Sequence, residues 1–191
     1  MSDSPLTNAI IIIFLLFCAT ITVGWVGTMQ NPAIGEDLMK IFEKEVADQI
    51  KGKDTAEIFV HLFFNNLEAC ILLFLGGASF GILTIFIISL NGVLIGAIME
   101  IVRKDHSVAF VAAAILPHGI FEIPAFILSG ALGIMLAQSL IAEWYFGTDT
   151  NTDAQKFARL FILYALPLIA IAAFIEAFIT PIVIHLVAYR I

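Results

Sequence analysis

The chain has 191 residues, of which 61% are hydrophobic and 13% charged, with a net charge of −7 and a mean hydropathy of +1.03. Soluble domains average about 45–50% apolar and about 25% charged residues, so this composition excludes an ordinary water-soluble globule and predicts an all-α, multi-pass membrane protein. The absence of a basic stripe excludes a nucleic-acid partner, and no Lys/Arg cluster beside a span points to anionic-lipid recruitment. The partners to expect are the lipid bilayer, further copies of the chain and other membrane proteins.

Leu6–Met29 reads as the first span and is longer than the apolar core of a signal peptide. With no Lys or Arg in the first eight residues, it is expected to be retained. Trp25 sits where an interfacial anchor belongs. Asn31-Pro32 ends the helix. Residues 34–57 follow as an amphipathic surface helix and loop. Ile34, Leu38, Ile41, Phe42, Val46 and Ile50 share one helical face. Between Glu36 and Glu57 lie seven acidic residues and four lysines.

From residue 58 to 191 the sequence reads as a membrane core, the whole chain forming a single membrane domain. The second span covers about Ile58–Gly77 and the third about Ser79–Val102, joined by the short Gly76-Gly77-Ala78-Ser79 turn. Ser107–Ala142 is apolar for 36 residues, or about 54 Å if wholly helical, against a bilayer core of about 30 Å. Pro117 and Pro124 therefore predict a break. A short, re-entrant piece is expected over about 107–116, with a longer helix starting near Pro117. The last apolar run, Leu160–Tyr189, carries Pro167 and Pro181. It is expected as one bent helix or as a helix with a re-entrant tail.

About five spans result. The count of Lys and Arg then places residues 30–57 in the cytoplasm, with the chain in the cell membrane. A hairpin within 107–142 would move Lys156, Arg159 and Arg190 to the other sides. Cys18 and Cys70 lie in apolar runs without metal-type spacing, so no structural disulfide is expected.

An ionisable group at the bilayer centre costs roughly 2.5–3.5 kcal/mol and needs a partner or a cavity. Such groups recur here. In HLFFNNLEA, His61, Asn65 and Glu68 are spaced i, i+4, i+7, with Asn66 adjacent. Asn91 lies in mid-span in SLNGVLIG. In PHGIFEIPA, His118 and Glu122 stand one turn apart, the only titratable groups between Ser107 and Ala142. Glu176 lies inside the last run. The simplest arrangement turns Glu68, Asn91, His118, Glu122 and Glu176 toward one interior point.

Three uses of that cluster are open. It can be polar glue within a bundle, with one carboxyl protonated. It can be an ion or proton pathway, because broken helices beside buried carboxylates build transport sites. Or it can hold a divalent ion, for which His118, Glu122 and Glu176 are the candidate ligands. An intramembrane metal-dependent enzyme would use the same groups, but HExxH is absent and no catalytic residue is assigned. No organic cofactor is implied, while a bound ion remains compatible with the pattern. Gly77/Gly81 and Gly92/Gly96 in GxxxG spacing, with Gly130/Gly133, mark helix-packing faces.

Taken in order, the stretches NNLEA…GG…FG…T (Asn65–Thr84), NG…G (Asn91–Gly96), HG…EIPA (His118–Ala125), SGALG (Ser129–Gly133) and EAFITP (Glu176–Pro181) resemble the stage II sporulation protein M family of integral membrane proteins. The resemblance covers about residues 60–185. In a spore-forming bacterium it implies a role like that of the family's namesake, which anchors cell-wall-degrading enzymes at the engulfing membrane. The family also occurs in organisms without spores, archaea among them. Together with the glycine faces and helix 34–51, it leads to a first expectation of a non-enzymatic assembly or scaffold component. An ion or proton channel or transporter is the alternative, and the metal-dependent enzyme stands third.

Overall fold

Helix follows helix through the described residues, and no strand occurs among them. A computed structural model describes residues 5–31, 33, 35, 40 and 52–188. The expected surface helix over 34–51 lies almost entirely outside them. Five helical rods are long and apolar enough to cross a membrane, as composition predicts.

The first, α1 (Pro5–Gln30), starts at a proline, which has no N–H to leave unpaired there. The second, α2 (Thr55–Leu75), opens on a capping box. The Asp54 carboxylate accepts from the Glu57 amide at 2.8 Å, and Glu57 accepts from the Asp54 amide at 3.1 Å. A 3₁₀ turn over Gly76–Ser79 then reverses the chain through Phe80 and Gly81, both left-handed at φ 55° and 84°. Ser79 fastens this corner: its hydroxyl donates to the Gly76 carbonyl at 2.7 Å and accepts from the Leu83 amide at 2.9 Å.

The third rod, α3 (Ile82–Asp105), leads to the 39-residue α4 (Val108–Phe146), which is capped by Ser107 and ends at left-handed Gly147. The expected break at Pro117 does not occur. Both Pro117 and Pro124 lie inside a continuous helix, so no re-entrant piece precedes Pro117. In lipid an unwound segment would expose backbone groups that no water can satisfy. Each proline removes one hydrogen bond, whereas a break removes several. At about 58 Å, α4 extends well beyond a core of about 30 Å.

The last rod is also continuous, and its prolines act differently. It comprises α5 (Thr150–Leu160), α6 (Leu166–Phe174) and α7 (Thr180–Ala188), joined by π-helical turns at Phe161–Ala165 and Ile175–Ile179. Each π turn ends just before a proline. The Leu166 amide donates to the Phe161 carbonyl and the Thr180 amide to the Ile175 carbonyl, both across five residues. Pro167 and Pro181 cannot donate, and their rings crowd the carbonyls of Leu163 and Ala177. The widened turns absorb that crowding, so the expected tail does not fold back.

The long helix α4 is central and touches every other rod. From Ala125 to Ala137 it is buried around most of its circumference. Its closest approaches use glycine. A Cβ on Gly133 would overlap the Leu73 carbonyl, and one on Gly77 would overlap the Gly133 carbonyl. The α1–α3 pair, which packs closely along its length, is built the same way. Gly92 meets Thr20, Gly96 meets the Ile21 carbonyl and Gly24 meets the Val93 carbonyl. A Cβ added to Gly130 would lie 3.1 Å from Ile13, and one added to Gly81 would lie 3.2 Å from Ile134. These glycine faces are thus filled by helices of the same chain and are not free for a neighbour, contrary to the expectation that they serve assembly.

Candidate functional site

The intramembrane polar groups converge on a cavity of about 450 Å³. The bundle sets its depth. The lining begins with Ile58 and Val102, each three residues in from the adjacent ends of α2 and α3. It ends at Phe17, Asn91 and Phe126. Beyond that level the interior is close-packed: Leu73, Ile88, Leu132, Thr84 and Ser129 have no exposed surface. The Thr84 hydroxyl donates to the Leu73 carbonyl at 2.9 Å, and the Ser129 hydroxyl to the Ala125 carbonyl at 2.7 Å, so the polar groups of this plug are satisfied. The cavity therefore occupies one half of the bundle's depth.

Three side chains meet at its inner part. His118 and Glu122 project from one face of α4 because they are one turn apart. Glu176 comes from the π turn Ile175–Ile179 of the last rod. One ligand atom from each of the three lies within 4.8 Å of the others. His118 Nε2 stands 3.9 Å from Glu122 Oε2, and Nδ1 lies 3.4 Å from the Thr180 hydroxyl. With Nδ1 donating to Thr180, Nε2 keeps its lone pair on the carboxylate side. No other donor among the described residues reaches either carboxylate within hydrogen-bond distance.

His61, Asn65, Asn66 and Asn91 also line the cavity. His61 Nε2 is buried without a hydrogen-bond partner among the described residues. Asn91 donates from Nδ2 to the Ile87 carbonyl at 2.9 Å. Asn65 lies at the cavity's edge and is exposed, whereas Asn66 is buried.

Glu68 does not join the site. It is exposed on the outer side of α2 and absent from the cavity lining. Helical residues advance by about 100° each. The lining arc of α2 runs from His61 toward Leu62 and Asn66, and Glu68 falls on the opposite side of His61. Sequence spacing placed Glu68 beside His61 correctly but could not say on which side of His61 the cavity lies.

Two buried polar residues were missed from sequence, one at the site and one structural. Thr180 aligns His118 from 62 residues away, and its only signal is its place before Pro181. Glu100 is wholly buried near the end of α3. It is held bidentately by Arg103 at 2.7 and 2.9 Å, with Lys104 at 3.9 Å. The i, i+3, i+4 spacing of Glu100, Arg103 and Lys104 could have revealed it.

Comparison with known proteins gives the family. The model of the family described as Stage II sporulation protein M matches residues 13–181, which include every residue of the cavity. The chain is 31% identical over 149 residues to the uncharacterized protein MJ0793 of Methanocaldococcus jannaschii, covering 76% of this chain and 82% of that one. It is 29% identical over 146 residues to the uncharacterized protein MJ0706 of the same organism, covering 72% and 64% respectively. No solved structure matches the chain. This chain is a multi-pass membrane protein of the Stage II sporulation protein M family.

Proposed function

We propose that the protein moves a cation across the membrane, with Glu122, Glu176 and His118 as its intramembrane binding site. The observation that carries this reading is the placement of two carboxylates without donors at the inner part of a cavity confined to one half of the bundle. Polar glue would be expected to hydrogen-bond its members to one another in a dry core. Here the glue-like pairs occur elsewhere, at Thr84, Ser129 and Glu100.

His118 lies ten residues past Val108, which is about 15 Å of helix, or half of the hydrocarbon thickness. A site at the midplane, closed on one side by packed side chains, is the geometry of alternating access rather than of an open pore. A continuous α4 also favours five crossings over the hairpin alternative. On that basis residues 30–57, Arg103, Lys104 and the cavity end of the bundle belong to the cytoplasmic side of the cell membrane.

The test is cation flux in proteoliposomes made from purified protein. Wild-type vesicles should move a cation down an imposed gradient, and Glu122→Gln should reduce the rate to that of empty vesicles while retaining its helical spectrum and monodispersity. Equal flux in wild-type and variant vesicles would refute the reading.

Assembly is the second reading, and one observation favours it. Glu68 is exposed on α2, thirteen residues into a membrane span and outside the cavity lining. Polar groups facing lipid at that depth are costly, and a second membrane protein there would relieve the cost.

A further inference from the structure

We infer that the cation is a divalent first-row transition metal, coordinated by His118 Nε2 and one oxygen each of Glu122 and Glu176. This rests on the transport reading and names its substrate class. Charge is the first argument. With the ligands deprotonated, as metal binding requires, two carboxylates and a neutral imidazole carry −2, which a divalent ion cancels. A single monovalent ion reaches neutrality only if one carboxyl stays protonated, and so cannot use both as ligands.

Geometry is the second. Metal–nitrogen and metal–oxygen bonds of about 2.0–2.2 Å place two ligands of one ion about 3 to 4.2 Å apart. The three ligand atoms already lie within 4.8 Å of one another, and His118 and Glu122 are at 3.9 Å. Small χ rotations of the two glutamates bring all three into range.

The donor set is the third. Imidazole suits zinc and iron, and carboxylate suits manganese; magnesium and calcium favour oxygen alone. Thr180 meets the remaining requirement. Metal-bound histidines usually donate their other ring N–H to a nearby acceptor, which fixes the tautomer, and the Thr180 hydroxyl lies 3.4 Å from Nδ1. Asn65, Asn66, Asn91 and His61, whose buried Nε2 has no partner among the described residues, line the same cavity and keep its interior polar.

The experiment is equilibrium binding of Zn²⁺ and Mn²⁺ to the purified full chain in detergent, with Mg²⁺ in millimolar excess as competitor. The expected result is saturable binding of about one ion per chain that persists in Mg²⁺. Glu122→Gln and Glu176→Gln should each abolish it. Thr180→Ala, which removes no ligand, should weaken it about tenfold without altering helical content. Absence of saturable binding, equal displacement by Mg²⁺, or unchanged binding in the two glutamine variants overturns the assignment. The two readings fail separately. Vesicles that carry another cation while the protein binds no transition metal would leave transport standing and remove the metal assignment. Metal binding without flux would keep the site and remove transport.

Discussion

At the scale of single residues, the intramembrane carboxylates fall into two chemical classes. Glu100 is neutralised by its own helix. Arg103 grips it at 2.7 and 2.9 Å, and the Trp25 indole lies alongside. Removing one partner of such a pair is worse than removing both, because the survivor is left charged and unpaired. Arg103→Leu should therefore lower the melting temperature in detergent, and the double variant Glu100→Leu/Arg103→Leu should recover part of the loss. A double variant less stable than Arg103→Leu would show that the pair acts otherwise. Glu122 and Glu176 have no arginine or lysine partner among the described residues, and this separates a site from a structural ion pair. Both classes are written locally in the sequence, since an arginine or lysine three or four positions away is present for Glu100 and absent for the other two.

At the scale of elements, four prolines of similar appearance have two outcomes. Pro117 and Pro124 sit in regular helix, while Pro167 and Pro181 each follow a π turn. Hydropathy and proline position do not distinguish them, and nothing in the structure explains why the two pairs differ. The consequence for function is clear at Pro181, whose widened turn carries Glu176 and ends at Thr180. Single-turn π bulges recur at functional sites. In Pro181→Ala the new N–H can bond the Ala177 carbonyl and let the turn close to α geometry, which rotates Glu176 by up to about 100° relative to α7. The helix should fold at least as well as before, while Mn²⁺ binding weakens about tenfold. A variant with regular folding and unchanged binding would show that the π turn does not position the site.

At the scale of the whole molecule, the glycines give the most direct lesson. GxxxG spacing is commonly associated with dimers, yet Gly77, Gly92, Gly96 and Gly133 bring helices of one chain into backbone contact. The outward surface is left to large apolar side chains such as Ile12, Phe64, Ile82, Phe86 and Ile120, which a bilayer covers without any partner. Glu68 is the polar interruption in this surface on α2. If copies of the chain associate, they should do so there. Glu68→Leu should then convert an oligomer to a monomer in light scattering, leaving metal binding intact. A wild-type protein that is already monomeric in lipid nanodiscs would dispose of this interface.

The sequence by itself determined the class of the protein, its five apolar rods and all but one of the polar groups it singled out for the cavity, Glu68 being the exception. Those properties are local: hydropathy sums along the chain, His118 and Glu122 share a face because a helix turns every 3.6 residues, and an isolated carboxyl in a greasy run is visible wherever it points. Tertiary structure alone decided the rest. It set the rotation of α2 that brings Asn66 inward and leaves Glu68 outside. It kept α4 whole through two prolines, because lipid offers no solvent for an unwound backbone. It also brought Glu176 and Thr180 to within contact of a histidine some sixty residues earlier, through packing whose phase no local pattern encodes.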